Sequence, residues 1–293
     1  MRVDERDAYT GQATTGHEWN GIRELNTRVP RAVWIFLIAT TLFSLAYWVL
    51  MPAWPVGRTY TKGLLGADVR QDVAMDLRDA AVRRSAWTAR LEKQDFAAIQ
   101  ADNELMRKVG ETGRTLFGDN CAVCHGARAN GGPGFPSLID GAWLWGGTPD
   151  AVLETIRVGV NSVHAETRSS EMPAFGRDRI LDRPAILNIV AYVRSLSHPE
   201  IASGPDAQKI AAGREAFAAN CSACHGEDGK GSTDAGAPNL TDGFWLYGGD
   251  EESIYHTIWG GRKGHMPSWD KRLSETDRKI LALYLLDLKR RQP

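Results

Sequence analysis

Apolar and polar positions change rhythm several times along this chain of 293 residues. Residues 1–31 are polar, show no sustained apolar period and are expected to be partly disordered. Residues 32–51 then run for 20 positions without a charge: Ala-Val-Trp-Ile-Phe-Leu-Ile-Ala-Thr-Thr-Leu-Phe-Ser-Leu-Ala-Tyr-Trp-Val-Leu-Met. A helix of that length reaches about 30 Å, the thickness of the hydrocarbon core of a bilayer. Trp34 stands near one end and Tyr47, Trp48 and Trp54 near the other, where amphipathic rings favour the membrane interfaces. Pro30 precedes the run, and Pro52 and Pro55 follow it. A cleaved leader has a shorter apolar core and a small-residue cleavage site. One retained transmembrane helix over 32–52 is therefore expected.

Residues 53–109 read as a helical connector. No Gly or Pro occurs over 68–109, and Val69, Val73, Leu77 and Ala80 recur near helical spacing. Two later patterns read as amphipathic helices that close their segments: Ile186, Ile189, Val190, Val193 and Ile280, Leu283, Tyr284, Leu288. Between them, residues 197–208 hold Pro199, Gly204 and Pro205 and read as a short linker. The expected division is a segment 1–31, the membrane helix, the connector, a domain 110–196, the linker and a domain 209–293.

The two domains are copies. Gly113-Arg114-x-x-Phe117-x-x-Asn120-Cys121 recurs 100 residues later as Gly213-Arg214-x-x-Phe217-x-x-Asn220-Cys221. Pro136-x-Leu138 matches Pro238-x-Leu240, and Trp143-Leu144-x-Gly146-Gly147 matches Trp245-Leu246-x-Gly248-Gly249. Met172-Pro173-Ala174-Phe175 matches Met266-Pro267-Ser268-Trp269. Two copies of this length are a duplicated domain rather than a solenoid. The fold class is mostly α: one N-terminal transmembrane helix, then two tandem all-α domains.

All four cysteines fall in two Cys-x-x-Cys-His boxes, Cys121-Ala-Val-Cys124-His125 and Cys221-Ser-Ala-Cys224-His225. This is the attachment box of a c-type haem. Two thiols form thioethers to the porphyrin and the histidine binds iron. Positions i, i+3 and i+4 lie on one helical face, so all three groups reach one flat cofactor. A zinc ribbon would place its two cysteine pairs about 15–20 residues apart, far closer than here. A redox dithiol needs neither the histidine nor the repetition. Disulfides remain compatible with an even cysteine count. The reading is two covalently attached haem c groups, and hence electron transfer.

A low-spin haem needs a sixth ligand, and His/Met pairs are common in cytochromes c. Of six methionines, Met1 is the start, Met51 lies in the apolar run, and Met75 and Met106 precede the first box. Met172 and Met266 alone lie downstream of a box, one per repeat, each followed by proline. The axial ligands are therefore expected to be His125, Met172, His225 and Met266. His17, His164, His198, His256 and His265 have no counterparts across the repeat. By default each methionine serves its own box. Two tightly packed repeats that exchange methionines would use the same residues, and both arrangements stay open.

Composition adds little. A net charge of −1 gives no reason to expect nucleic acid. Asp250, Glu251 and Glu252 form a short acidic cluster that reads as a solvated loop or a docking point for a basic cytochrome. Arg23, Arg28 and Arg31 before the membrane run, against Arg58 and Lys62 after it, bias the N-terminus weakly toward the cytoplasm. Covalent haem attachment in bacteria takes place outside the cytoplasmic membrane, which puts the two boxes in the periplasm.

One stretch is more distinctive than the boxes. Thr15-Gly16-His17-Glu18-Trp19-Asn20-Gly21-Ile22-x-Glu24-Leu25-Asn26 resembles the pre-membrane signature of the FixP/CcoP family, the dihaem subunit III of cbb(3)-type cytochrome c oxidases. With the single anchor and the two haem domains, the resemblance covers nearly the whole chain. It implies a non-catalytic electron-transfer subunit in the bacterial inner membrane, with its N-terminus cytoplasmic. The implied partners are a donor cytochrome c, a monohaem cytochrome subunit and the haem-copper catalytic subunit that reduces oxygen. Cys121, Cys124, Cys221 and Cys224 would carry the haems, and no residue would be catalytic. An anchored dihaem carrier for a dehydrogenase or another reductase is the main alternative. A dihaem peroxidase is a weaker one, since it needs an open iron site.

Overall fold

The computed structural model describes residues 6–291 and is mostly helical. The chain forms two compact units that divide within one long helix, residues 1–83 and 84–293.

The first unit opens with an antiparallel hairpin, β1 (Thr14–Trp19) and β2 (Ile22–Leu25). Asn20 and Gly21 both take positive φ, the backbone that a two-residue Asn-Gly hairpin turn requires. Part of the segment expected to be disordered is thus ordered by its turn chemistry. α1 (Arg31–Leu50) follows, with a mean hydropathy of 2.0 and no buried residue. It is long and apolar enough to cross a membrane. A second small hairpin, β3 (Pro55–Val56) and β4 (Thr59–Tyr60), turns the chain back. The Leu64 and Leu65 amides then donate to the Val49 and Leu50 carbonyls at 3.0 Å each. Those carbonyls end the helix and have no partner within it, so the returning loop satisfies them.

α2 (Val69–Lys93) carries the chain into the second unit. The connector then breaks twice, at α3 (Phe96–Ala101) and α4 (Asn103–Asn120). Asp95 and Asp102 cause the breaks: each leaves helical conformation and caps the next helix with its carboxylate. α5 (Ala122–His125) carries the first box, and α6 (Pro149–Val158) and α7 (Arg183–Ser197) complete the first repeat. A 3-10 turn (Pro199–Ser203) leads to α8 (Ala207–Asn220), α9 (Ser222–His225), α10 (Glu251–Gly260) and α11 (Glu275–Arg290).

The repeats do not close on themselves. α11 of the second repeat packs on α4 and α6 of the first, and α7 of the first packs on α8 and α10 of the second. Phe117, Val152 and Ile156 of the first repeat share a core with Trp269, Leu281 and Leu285 of the second. Phe217, Ile254 and Ile258 of the second share one with Phe175, Ile189 and Val193 of the first. A third core joins Leu91, Ile99, Leu105 and Val109 to Ile280 and Leu283, so α2 and α3 cover the outer face of α11.

The repeated glycines explain how the helices meet. A Cβ at Gly113 would lie 2.6 Å from the Tyr284 Cβ, and one at Gly213 would lie 1.9 Å from the Asn188 carbonyl oxygen. One turn further on, Phe117 meets the Tyr284 ring at 6.0 Å and Phe217 meets Tyr192 at 5.2 Å. Each Gly-Arg-x-x-Phe motif is therefore a crossing point for the other repeat's closing helix.

Candidate haem-binding centres

Each box begins where a long helix ends. Cys121 and Cys221 are the C-caps of α4 and α8 and start the single turns α5 and α9. Asn120 and Asn220 steady these junctions, donating side-chain bonds to the Leu116 and Ala216 carbonyls at 2.8 and 2.9 Å. Cys121 and Cys221 are half-buried, while Cys124 and Cys224 are exposed, and all four thiols are free of disulfides. Burial, with the neighbouring cysteine, raises the Cys121 and Cys221 thiols to about 11.

The histidines are oriented alike. His125 Nδ1 lies 3.0 Å from the Pro136 carbonyl oxygen, and His225 Nδ1 lies 3.1 Å from that of Pro238. With Nδ1–H donating to a carbonyl, the lone pair falls on Nε2, the tautomer suited to bind a metal. Burial lowers the pKa of both imidazoles, with the carbonyl bond opposing it, which favours the neutral form an iron ligand needs. Pro136 and Pro238 stand out in sequence only as matched positions. Their role appears once the loop after each box brings their carbonyls back to the ring.

The methionines lie across the repeats. Met266 packs in the core that contains Cys121, Leu138 and Trp143, and Met172 packs in the core that contains Cys221, Leu240 and Trp245. Backbone pairing fixes this. Met266 and Val160 exchange two amide bonds at 2.9 Å, and Met172 and Arg262 exchange two at 2.8 and 3.0 Å. A Cβ on Gly159 would sit 2.4 Å from the Met266 carbonyl oxygen, and one on Gly261 would sit 2.5 Å from that of Met172. Only glycine allows each methionine loop to come so close.

The other histidines are engaged elsewhere. His17, His164, His198 and His256 face Glu24, Asp270, Glu200 and Glu252. His265 Nδ1 lies 2.9 Å from the Asn161 carbonyl oxygen. The acidic cluster belongs to a helix start: Asp250 caps α10 through the Ser253 amide, and Glu251 pairs with Arg194 at 3.2 Å.

Each core thus gathers one half-buried cysteine beside a box histidine, one methionine and a wall of apolar side chains. That donor set fits a flat, apolar, iron-centred group. In the first core, Trp143 Nε1 is buried without a partner, so one buried donor is left for a polar edge of that group.

Comparison with known proteins agrees along the chain. The profile for the N-terminal domain of cytochrome oxidase-cbb3, FixP, matches residues 11–58. The cytochrome c profile matches residues 110–197, and that of the cbb3-type cytochrome c oxidase subunit III matches 208–285. A cbb3-type cytochrome c oxidase subunit FixP of Bradyrhizobium sp. is 45% identical over 284 residues, 97% of each chain. A CcoP subunit of Azospirillum brasilense is 40% identical over 296 residues, covering 98% of this chain and 99% of its own. A CcoP subunit of Cereibacter sphaeroides is 42% identical over 274 residues, 93% of each.

Proposed function

Because the chain belongs to the FixP/CcoP family, subunit III of cbb3-type cytochrome c oxidases, we propose that it relays electrons from a donor cytochrome c to a haem-copper catalytic subunit that reduces oxygen to water. It carries two covalently bound haem c groups and works with other oxidase subunits. When bound, haem c supplies a one-electron iron couple. A monohaem cytochrome subunit lies on the route to the catalytic subunit. α1 anchors the chain in the bacterial inner membrane, with the N-terminus cytoplasmic and residues 53–293 periplasmic.

The chain's own residues hold the irons and tune them. Cys121 with Cys124 and Cys221 with Cys224 carry the thioethers. His125 and His225 bind iron through Nε2 while the Pro136 and Pro238 carbonyls hold their rings. Met266 completes the first centre and Met172 the second, so each iron has one ligand from each repeat. The observation that carries this reading is the packing of Met266 with Cys121 and of Met172 with Cys221. With a histidine and a methionine both offered to each haem, these residues would leave no open position for peroxide or oxygen, which favours electron transfer over a peroxidase. Thioether ligation also raises the potential relative to a second imidazole.

A single-haem variant tests the exchange. With Cys221 and Cys224 both replaced by alanine, Met266→His is expected to abolish the methionine-to-iron absorption of the remaining haem. Met172→His is expected to leave that band unchanged. The opposite pattern would overturn the exchange, and a band that survives both would overturn the methionine assignment. For the partner, copurification with a haem-copper subunit in mild detergent is expected; copurification with a dehydrogenase instead would sink the oxidase role.

A further inference from the structure

Two arginines, Arg168 and Arg262, lie beside the paired methionine loops with no carboxylate within ion-pair distance among the described residues. Arg262 directly follows Gly261, and its guanidinium carbon lies 4.1 Å from the centre of the Tyr247 ring. Arg262 Nε and Nη2 also reach the Thr257 hydroxyl, at 3.1 and 2.7 Å. In the first repeat the residue after the matching glycine, Gly159, is Val160, which brings no charge.

The first repeat supplies a cation by another route. Thirteen positions separate Gly159 from Met172, but only five separate Gly261 from Met266. The longer loop folds back so that Arg168 pairs in parallel with Val160: its amide donates to the Gly159 carbonyl at 3.1 Å, and its carbonyl accepts from the Asn161 amide at 2.7 Å. Its guanidinium carbon then lies 5.1 Å from the centre of the Trp145 ring. Trp145 and Tyr247 occupy the same place in the two Trp-Leu-x-Gly-Gly segments. The longer loop thus restores a cation on the corresponding ring, from a different place in the chain.

Both cations lie where the two centres meet. Tyr247 borders Gly134, in the loop that returns from His125 to Pro136, and Trp145 borders Gly236, in the loop that returns from His225 to Pro238. Neither arginine has a carboxylate within ion-pair distance among the described residues. Arg168 Nη2 reaches the Ala151 carbonyl at 3.3 Å, but its Nε is buried with no partner among the described residues. Leaving such a donor unsatisfied is costly, the more so on a charged group. Native structures tolerate that where a ligand supplies the acceptor.

Haem c supplies acceptors. Its two propionate carboxylates lie on the ring edge away from the thioether-bearing vinyl carbons, and a buried carboxylate needs a cation or hydrogen-bond donors. We propose that Arg168 and Arg262 are the receptors for haem carboxylates at the seam between the centres, each held in place by the aromatic ring beneath it. Their charge there stabilises the reduced iron over the oxidised one, because the oxidised centre carries one more positive charge. The eight extra residues of the first repeat serve to deliver that charge.

The proposal rests on the two-haem reading, so haem content is measured in every sample. The experiment uses the full-length protein in its purified oxidase. Arg168→Gln and Arg262→Gln are each expected to keep both haems and the methionine absorption while lowering the potential of a haem in a spectroelectrochemical titration. Arg168→Lys and Arg262→Lys, which retain the charge but not the forked donor, are expected to recover most of that potential. They are also expected to shift the carboxylate bands of isotope-labelled propionates in redox-difference infrared spectra. Unchanged potentials in both glutamine variants with full haem content would overturn the proposal. If a glutamine variant fails to load haem, the lysine variant decides: unshifted propionate bands would overturn the proposal, and shifted bands would uphold it. Missing haem in the unmodified protein would instead indict the two-haem reading.

Discussion

Gly213 and Gly113 occupy matching places but have different neighbours. A Cβ at Gly213 would come within 1.9 Å of a backbone carbonyl of α7 and one at Gly113 within 2.6 Å of the Tyr284 Cβ, so either clash is relieved only if a helix moves, and the closer one needs the larger movement. Overpacking of this kind costs about 1–3 kcal/mol. Gly213→Ala is expected at the upper end of that range and Gly113→Ala lower, read as loss of thermal midpoint in the holo protein. Equal midpoints for Gly213→Ala and wild type would show that the helices separate freely. At this scale the candidate haem residues could be named, because the box and the repeat singled out the cysteines and histidines and the scarcity of methionine singled out Met172 and Met266. The pairing of methionine with box was not legible. It depends on the path of the backbone between Gly159 and Met172, and nothing in the spacing of Met172 reveals that path. Nor did the sequence disclose Pro136 and Pro238 as histidine partners, since a carbonyl is available at every position.

Elements show the same division between local and distant causes. The apolar run and the closing helices follow from local patterns, and α1, α7 and α11 form where those patterns lie. The connector is helical, but absence of Gly and Pro does not make it one helix: Asp95 and Asp102 interrupt it by capping. The stripe of Val69, Val73 and Leu77 is exposed, so helical spacing there does not mark a buried face. α11 carries a tie to the methionine loop. Arg278 is buried, pairs with Asp270 at 3.0 Å and donates to the Asp270 and Leu273 carbonyls at 2.8 and 2.9 Å. Removing one partner of a buried ion pair costs about 3–5 kcal/mol, and partial exposure of Asp270 places this case near the lower limit. Arg278→Ala is therefore expected to lower the thermal midpoint and loosen Met266, weakening the methionine-to-iron absorption. Retention of both would show that Trp269 and its neighbours hold the loop unaided.

The whole molecule reverses the obvious division of the sequence. Each repeat supplies a box and its flanking helix to one core, and a methionine and closing helix to the other. Residues 84–293, exported and matured with haem, are expected to show both methionine-to-iron bands. Residues 84–198 and 199–293 produced separately are expected to lack them and to fold poorly, since each lacks the helix that covers its own core. A methionine band in either half alone would refute this. The traded arms also have a consequence for inheritance. Two identical single-haem chains that swapped their C-terminal arms would make the same arrangement as a dimer, held only as long as their concentration allowed. One short covalent link makes the partnership permanent and independent of dilution. The link also frees the two copies to differ, as the eight extra residues of the first show. What it does not free is the tail of one copy from the head of the other: a change at Tyr284 has to suit Phe117, and a change at Tyr192 has to suit Phe217.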